Sequence, residues 1–139
     1  MKHSDLTLKG LERLARDLYK KSGPGQRIFG LVGPLGAGKT AFVKALASHM
    51  GIKKAKSPTF TVVHCYQKGA KSLYHVDLYR LDTARQLDAI GLDEMLADED
   101  SLVAIEWADK FPKLMSKCDL VLKFQVQKNK LRNVTVTRN

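Results

Sequence analysis

The chain has 139 residues, 44% of them hydrophobic, and a formal net charge of +10 from 24 Lys and Arg against 14 Asp and Glu. That length supports one hydrophobic core and leaves no room for a separate substrate domain, so residues 1–139 are expected to form a single domain. No stretch approaches the length that spans a bilayer, and residues 1–5 are polar with no signal-type apolar run behind them, which predicts a soluble, cytoplasmic protein without membrane contact.

Leu8, Leu11, Leu14, Ala15 and Leu18 recur at helical spacing and predict an amphipathic helix, ended by Lys20, Lys21 and the breaker Gly23-Pro24-Gly25. Ile28, Phe29, Leu31 and Val32 then form a short apolar run of buried-strand type. Directly behind it, residues 33–40 read GPLGAGKT, the G-x-x-x-x-G-K-[ST] spacing of a phosphate-binding loop. Phe42, Val43, Leu46, Ala47 and Met50 repeat at helical spacing, so strand, loop and helix stand in the order that such a loop requires.

The chemistry of the motif lies in its backbone. A loop that wraps a polyphosphate with its own N–H groups needs residues without side chains at the closest points, and Gly33, Gly36 and Gly38 supply them. The helix that opens there points its unsatisfied amides and the positive end of its dipole at the same anion. Lys39 adds a full charge for the β- and γ-phosphates, and the Thr40 hydroxyl is suited to ligate Mg²⁺ bridging them. The predicted ligand is a nucleoside triphosphate with Mg²⁺. Its expected contacts are Gly33, Leu35, Gly36, Ala37, Gly38, Lys39, Thr40 and Ala41.

A basic connection over 51–58 leads to β-branched residues at 59–66, which predict a strand. The turn-like Lys68-Gly69-Ala70-Lys71 separates it from a second strand at 73–78. Residues 82–100 are acidic and helical, broken at Gly91; residues 102–105 are a buried-type strand ending at Glu106. Residues 120–126 and 131–136 alternate as a hairpin around 127–130. The fold class is α/β, a P-loop three-layer sandwich with a mixed sheet, parallel near the loop and antiparallel at the hairpins.

A phosphate loop needs carboxylates to organise metal and water, and these normally stand at the carboxyl ends of neighbouring strands. Asp77 and Glu106 each close such a strand and are the candidates. His75 lies two residues before Asp77, on the same strand face, and is read as a structural histidine ahead of a general base. His3, His49 and His64 show no metal-ligand spacing. Cys65 and Cys118 lack C-x-x-C spacing and are expected to be reduced, partly buried thiols. Charge is uneven: residues 1–56 hold twelve basic and three acidic side chains, 57–112 five and ten, and 113–139 seven and one. Basic ends around an acidic middle suit RNA or an acidic partner, and equally a plain solvated surface.

GPLGAGKT, Ser57-Pro58-Thr59-Phe60, His75-Val76-Asp77-Leu78-Tyr79-Arg80-Leu81 and Ile105-Glu106-Trp107, in that order, resemble the motifs of the TsaE (YjeE) family of bacterial P-loop ATPases across essentially the whole chain. The resemblance implies a role in making threonylcarbamoyladenosine beside the tRNA anticodon, in the service of the TsaB–TsaD pair that transfers the threonylcarbamoyl group. It implies ATP and Mg²⁺ as the ligands, Lys39 on the phosphates, Thr40 on the metal, and Asp77 and Glu106 as the acidic pair supporting metal and attacking water, in either division of labour. Thr59 would then sense the γ-phosphate from a switch-like loop, Trp107 would be a nucleotide-side or coupling contact or else a core residue, and Arg80 an electrostatic element, a partner contact or an exposed ion-pair residue. Pro34 stands where the family commonly has Asp, and Ala108 where it often has Pro; Pro34 removes one backbone N–H from the loop.

Three other readings compete. A GTPase is disfavoured because Asp88-Ala89-Ile90-Gly91 lies in a helical stretch and Asn129-Lys130-Leu131-Arg132 lacks the carboxylate that recognises guanine. A small-molecule kinase would need an acceptor-binding insertion and an Arg-rich lid. A nucleotide-gated assembly factor, in which hydrolysis acts as a timer, is compatible with slow turnover and partner activation, since the sequence shows no activating arginine. Any tRNA contact is expected to be indirect, or weak through the basic surface.

Overall fold

The computed structural model describes residues 1–55 and 61–139. In chain order the elements are β1 (Lys2–Leu6), α1 (Leu8–Lys20), β2 (Ile28–Val32), α2 (Lys39–His49), β3 (Val63–Lys68), β4 (Lys71–Asp77), α3 (Ala84–Ala89), α4 (Leu92–Ala97), β5 (Ser101–Glu106), α5 (Pro112–Met115), β6 (Leu120–Val126) and β7 (Arg132–Arg138). The strands form one sheet in the order β1-β7-β6-β2-β5-β4-β3. β2 runs parallel to both its neighbours, β5 and β6, and β4 is parallel to β5; the β3–β4, β6–β7 and β1–β7 pairs are antiparallel. The α/β class with a mixed, partly parallel sheet is thus observed, with the phosphate-loop strand at its centre.

The central strands read as continuous apolar runs because both of their faces are covered. Phe29 and Leu31 of β2, with Leu102 and Ala104 of β5, pack into one core with Leu11, Leu14, Phe42, Val43 and Leu46 of α1 and α2. Ile28, Val103 and Ile105, whose side chains leave the other face, pack with Leu92 and Met95 of α4 and Leu114 of α5. Phe42 meets Phe124 of β6 edge-on at 6.1 Å, which ties α2 to the sheet beside the loop. The exposed bases Lys9, Arg13, Arg16, Lys20 and Lys44 lie on the α1–α2 side beside the exposed acids Glu12 and Asp17, whereas the opposite side mixes the exposed acids Asp88, Asp93 and Glu94 with Arg85, Lys113 and Lys117.

β1 is added to the expected elements, and three expectations are corrected. The polar segment Lys2–Leu6 is an edge strand, β1, paired Lys2 to Thr135 and His3 to Val134; backbone bonds to β7 hold it, so no apolar pattern announces it. Leu8 is 58% exposed, because α1 buries Leu11, Leu14 and Ala15 and position 8 starts the helix outside that stripe. Of the strand expected at 59–66, residues 59 and 60 fall outside the described residues, and β3 runs from Val63, with Thr61 and Val62 in a turn ahead of it. Val62 has a left-handed φ of 68° and its carbonyl accepts from the Asp77 amide at 2.8 Å, so the chain turns there despite its β-branched composition. The two cysteines differ: Cys65 is exposed on β3, while Cys118 is 2% exposed against Gly30, where an added Cβ would lie 2.9 Å from its Sγ.

Burial, reinforced by the neighbouring Asp119 carboxylate, pushes the Cys118 thiol up to about 12, so it stays protonated and unreactive at neutral pH. Iodoacetamide at pH 8 is expected to alkylate Cys65 in the native protein and both cysteines after unfolding in urea. Comparable native labelling rates at the two positions, read by peptide mass mapping, would contradict this packing. Among the described residues, no helix is long and apolar enough to cross a membrane.

Candidate functional site

The loop between β2 and α2 sits at the carboxyl end of the sheet's central strand, where parallel neighbours place the ends of their own strands beside it. Gly33 leaves β2 with φ 148°, and a Cβ there would lie 2.7 Å from the Phe124 carbonyl oxygen, so the chain can pass β6 only as glycine. Gly38 (φ 107°) precedes α2 and gives it no side-chain cap. The amides of the first helical turn therefore depend on water or an anion for partners. Pro34 supplies no N–H, but its carbonyl accepts from the Ala37 amide at 3.2 Å and from Lys39 Nζ at 2.9 Å.

Lys39 is 4% exposed. Its Nζ also donates to the Gly33 carbonyl and lies 4.1 Å from the centroid of the Trp107 ring. Burial holds this ammonium below the usual lysine range, and the carboxylates of Glu106, Asp77 and Asp109 oppose that shift. A desolvated cation surrounded by acceptors and an aromatic face is well placed to exchange carbonyls for phosphate oxygens, which are stronger partners.

The acids stand where the strand ends predict them. Asp77 and Glu106 are register partners on the adjacent parallel strands β4 and β5, and they are 5% and 3% exposed. The Thr40 hydroxyl is 3.0 Å from each carboxylate oxygen of Glu106. Asp77 Oδ1 accepts from the Tyr79 amide at 2.9 Å. Fully buried His75 donates from Nε2 to Glu106 Oε2 at 2.6 Å, while its Nδ1 meets no partner among the described residues. The bond goes to the acid of the site and fixes the orientation of Glu106.

Trp107 leaves β5 in the left-handed region, φ 62°, with its amide bonded to the Leu31 carbonyl at 3.0 Å. That conformation costs a bulky residue roughly 1–3 kcal/mol. It turns the indole over Lys39 and against Tyr79, whose ring centroid is 5.2 Å away. The ring thus lies both in the cleft wall beside the loop and against the core cluster on this face of β5.

Leu35, Gly36, Ala37, Gly38, Lys39, Thr40 and Ala41 line a cleft of about 470 Å³ together with Asp77, Glu106 and Trp107, so ten residues read as site candidates share one cavity. Tyr79 and Arg132 complete the wall, and neither had been read as lining it. Tyr79 follows the strand-end acid Asp77 in sequence, whereas Arg132 is marked only as the residue standing where guanine recognition needs a carboxylate. Arg80 is exposed outside this lining. The expected switch residue Thr59 falls outside the described residues. Asp88 lies on α3 in a different groove. Asn129 closes the β6–β7 turn by accepting from the Leu131 amide at 3.2 Å, and the fourth position of the 129–132 segment reaches the loop as Arg132, an arginine in place of the carboxylate that guanine recognition uses.

The donor set suits a hard cation. One hydroxyl and two carboxylates gather beside the loop, and among the described residues no cluster of three or more His, Cys, Asp or Glu forms a cage. That is the pattern of Mg²⁺ held mainly by phosphates and water with one or two protein oxygens. An added Cβ at Gly36 would meet no atom within 4 Å among the described residues.

A family model described as threonylcarbamoyl adenosine biosynthesis protein TsaE matches residues 6–134. The tRNA threonylcarbamoyladenosine biosynthesis protein TsaE of Borreliella burgdorferi is 43% identical over 81 residues, covering 58% of this chain and 59% of that one. The protein of the same name from Aquifex aeolicus is 34% identical over 117 residues, 82% of this chain and 79% of that one. The crystal structure of Bacillus subtilis YdiB superposes with a TM-score of 0.77 at 27% identity, covering 99% of this chain and 84% of that chain.

Proposed function

The chain belongs to the TsaE family, and on that premise we infer that it is a Mg²⁺-dependent ATPase that acts in the biosynthesis of tRNA threonylcarbamoyladenosine together with the TsaB–TsaD complex. The observation that carries the chemistry is the convergence of Lys39, Thr40, Asp77 and Glu106 at one end of the parallel strands, around an uncapped helix start. Lys39 and the amides opening α2 bind the phosphates. Thr40 and the two acids hold the metal and align the attacking water, with Glu106 kept in place by His75. Mg²⁺, when bound, neutralises charge on the phosphate oxygens as the terminal bond breaks. Trp107 shields the Lys39 side of the cleft from solvent.

Adenine is favoured over guanine because Asp88 lies in a different groove and the 129–132 segment carries arginine where guanine recognition needs a carboxylate. Arg132, the arginine in the cleft wall, donates to loop carbonyls and is not presented as an activating group. Turnover of the isolated protein should therefore stay well below the enzyme-typical value of roughly 10 per second. An arginine or an ordering contact supplied by the partners would raise it, by up to about 10³–10⁵ for the arginine alone. Steady-state phosphate release from ATP and Mg²⁺, with the protein alone and with TsaB–TsaD, tests this. Partner stimulation, accompanied by threonylcarbamoyladenosine formation on tRNA, is the expected outcome. Fast turnover alone, or no partner effect on either readout, would overturn the partnership.

A further inference from the structure

The phosphate loop is held from outside as well as from within. Arg132 opens β7, where it stands opposite Leu6 of β1 and Val126 of β6, so neighbouring strands on both sides fix its backbone. From there its side chain crosses to the loop. Nε donates to the Ala37 carbonyl at 3.1 Å and Nη2 reaches the Gly36 carbonyl at 3.5 Å. Nη1 donates to the Lys130 carbonyl at 3.3 Å, which steadies the guanidinium on its own hairpin. The approach is close: a Cβ on Gly38 would lie 3.0 Å from both Cδ and Nε of Arg132. The last glycine of the motif thus leaves room for this side chain as well as for an anion.

In a planar trans peptide the C=O and the N–H of one unit point in opposite directions. A donor that fixes the Ala37 carbonyl therefore turns the Gly38 amide away from the guanidinium, and fixing the Gly36 carbonyl does the same for the Ala37 amide, which bonds Pro34 across the loop. A phosphate-binding nest needs inward amides such as that of Gly38, while the Ala37 amide, taken by the Pro34 carbonyl, closes the loop on itself. The geometry points to Arg132 as a positioning residue that latches the phosphate loop in its binding shape through its fork of donors, coupling nucleotide affinity to the β6–β7 hairpin. This rests on the ATP-binding reading of the site.

The test compares Arg132→Lys and Arg132→Gln with the unchanged protein. Affinity for ATP and ADP is read by calorimetry, thermal stability without nucleotide by circular dichroism, and hydrolysis by single turnover at saturating ATP. Both variants are expected to lose affinity roughly ten- to hundredfold, the range set by breaking charge-assisted bonds. The saturated hydrolysis rate should stay near that of the parent even where loss of the loop bonds lowers the nucleotide-free melting temperature, an affinity-against-rate split that a purely structural role would not produce. Lysine keeps the charge but lacks the fork, so wild-type affinity in Arg132→Lys with loss in Arg132→Gln would overturn the latch in favour of charge alone. Affinities within twofold in both would overturn it outright. If Arg132→Gln fails to fold, Arg132→Lys decides alone. Failure of the unchanged protein to bind either nucleotide would refute the ATP reading itself.

Discussion

Replacing Lys39 by alanine is expected to weaken ATP and ADP binding by roughly 30- to several-thousand-fold, while leaving the fold intact. Its ammonium is 4% exposed, bonded to the Gly33 and Pro34 carbonyls and lying against Trp107, so it meets a phosphate with little water between them. Removing one partner of a buried, hydrogen-bonded charge pair costs about 2–5 kcal/mol, or roughly 30- to several-thousand-fold in affinity. The opposing effect is relief: alanine removes a cation that burial already disfavours, so the nucleotide-free protein should not lose much stability. Trp107 is the only tryptophan in the chain and lies in the cleft, so its fluorescence reads binding directly. A Kd for Lys39→Ala within threefold of the parent would refute the assignment of this lysine.

Glu106→Gln should separate binding from chemistry. The substitution keeps size and hydrogen-bonding capacity beside Thr40 and His75 but removes the charge that a metal-bridged phosphate and an attacking water require. Single-turnover hydrolysis is expected to fall by about 10²–10⁴, the range for loss of a positioned acid or base, with ATP affinity changed far less. Asp77→Asn serves as the comparison, since Asp77 shares the strand-end register but accepts from the Tyr79 amide instead of from Thr40. If Glu106→Gln hydrolyses ATP within threefold of the parent, the acid that organises the reaction must lie elsewhere, and Asp77 is the first alternative to test.

The motif was legible because its chemistry is local. Residues 33–40 are covalently adjacent, their glycines mark close approach whatever the surroundings, and the apolar runs on either side follow strand and helix periods. Asp77 and Glu106 were legible for a related reason: a single acid ending a buried run must emerge at a strand end, and parallel pairing brings the two into register. The β3–β4 and β6–β7 hairpins were legible from turn residues between alternating segments.

What stayed hidden depends on contacts between distant segments. β1 is held by backbone bonds to a strand more than a hundred residues away, and backbone bonds leave no side-chain pattern. Leu8 follows the helical period yet faces outward, because period alone does not say where the covered stripe ends. Cys65 and Cys118 are the same residue type in similar local settings, separated only by what packs over them. His75 was visible as a histidine beside an acid, but its 2.6 Å bond goes to Glu106, 31 residues on.

By itself, then, the sequence determined the phosphate loop, the two strand-end acids and the α/β order of elements, since each follows from covalent neighbours and short-range periodicity. Only the tertiary structure decided that His75 holds Glu106, that Trp107 turns over Lys39, and that Arg132 crosses from the last strand to the loop carbonyls. The physical reason is that sheet order and side-chain reach are set by burial on both faces of the sheet. That is a property of the whole packed chain, which no window of neighbouring residues contains.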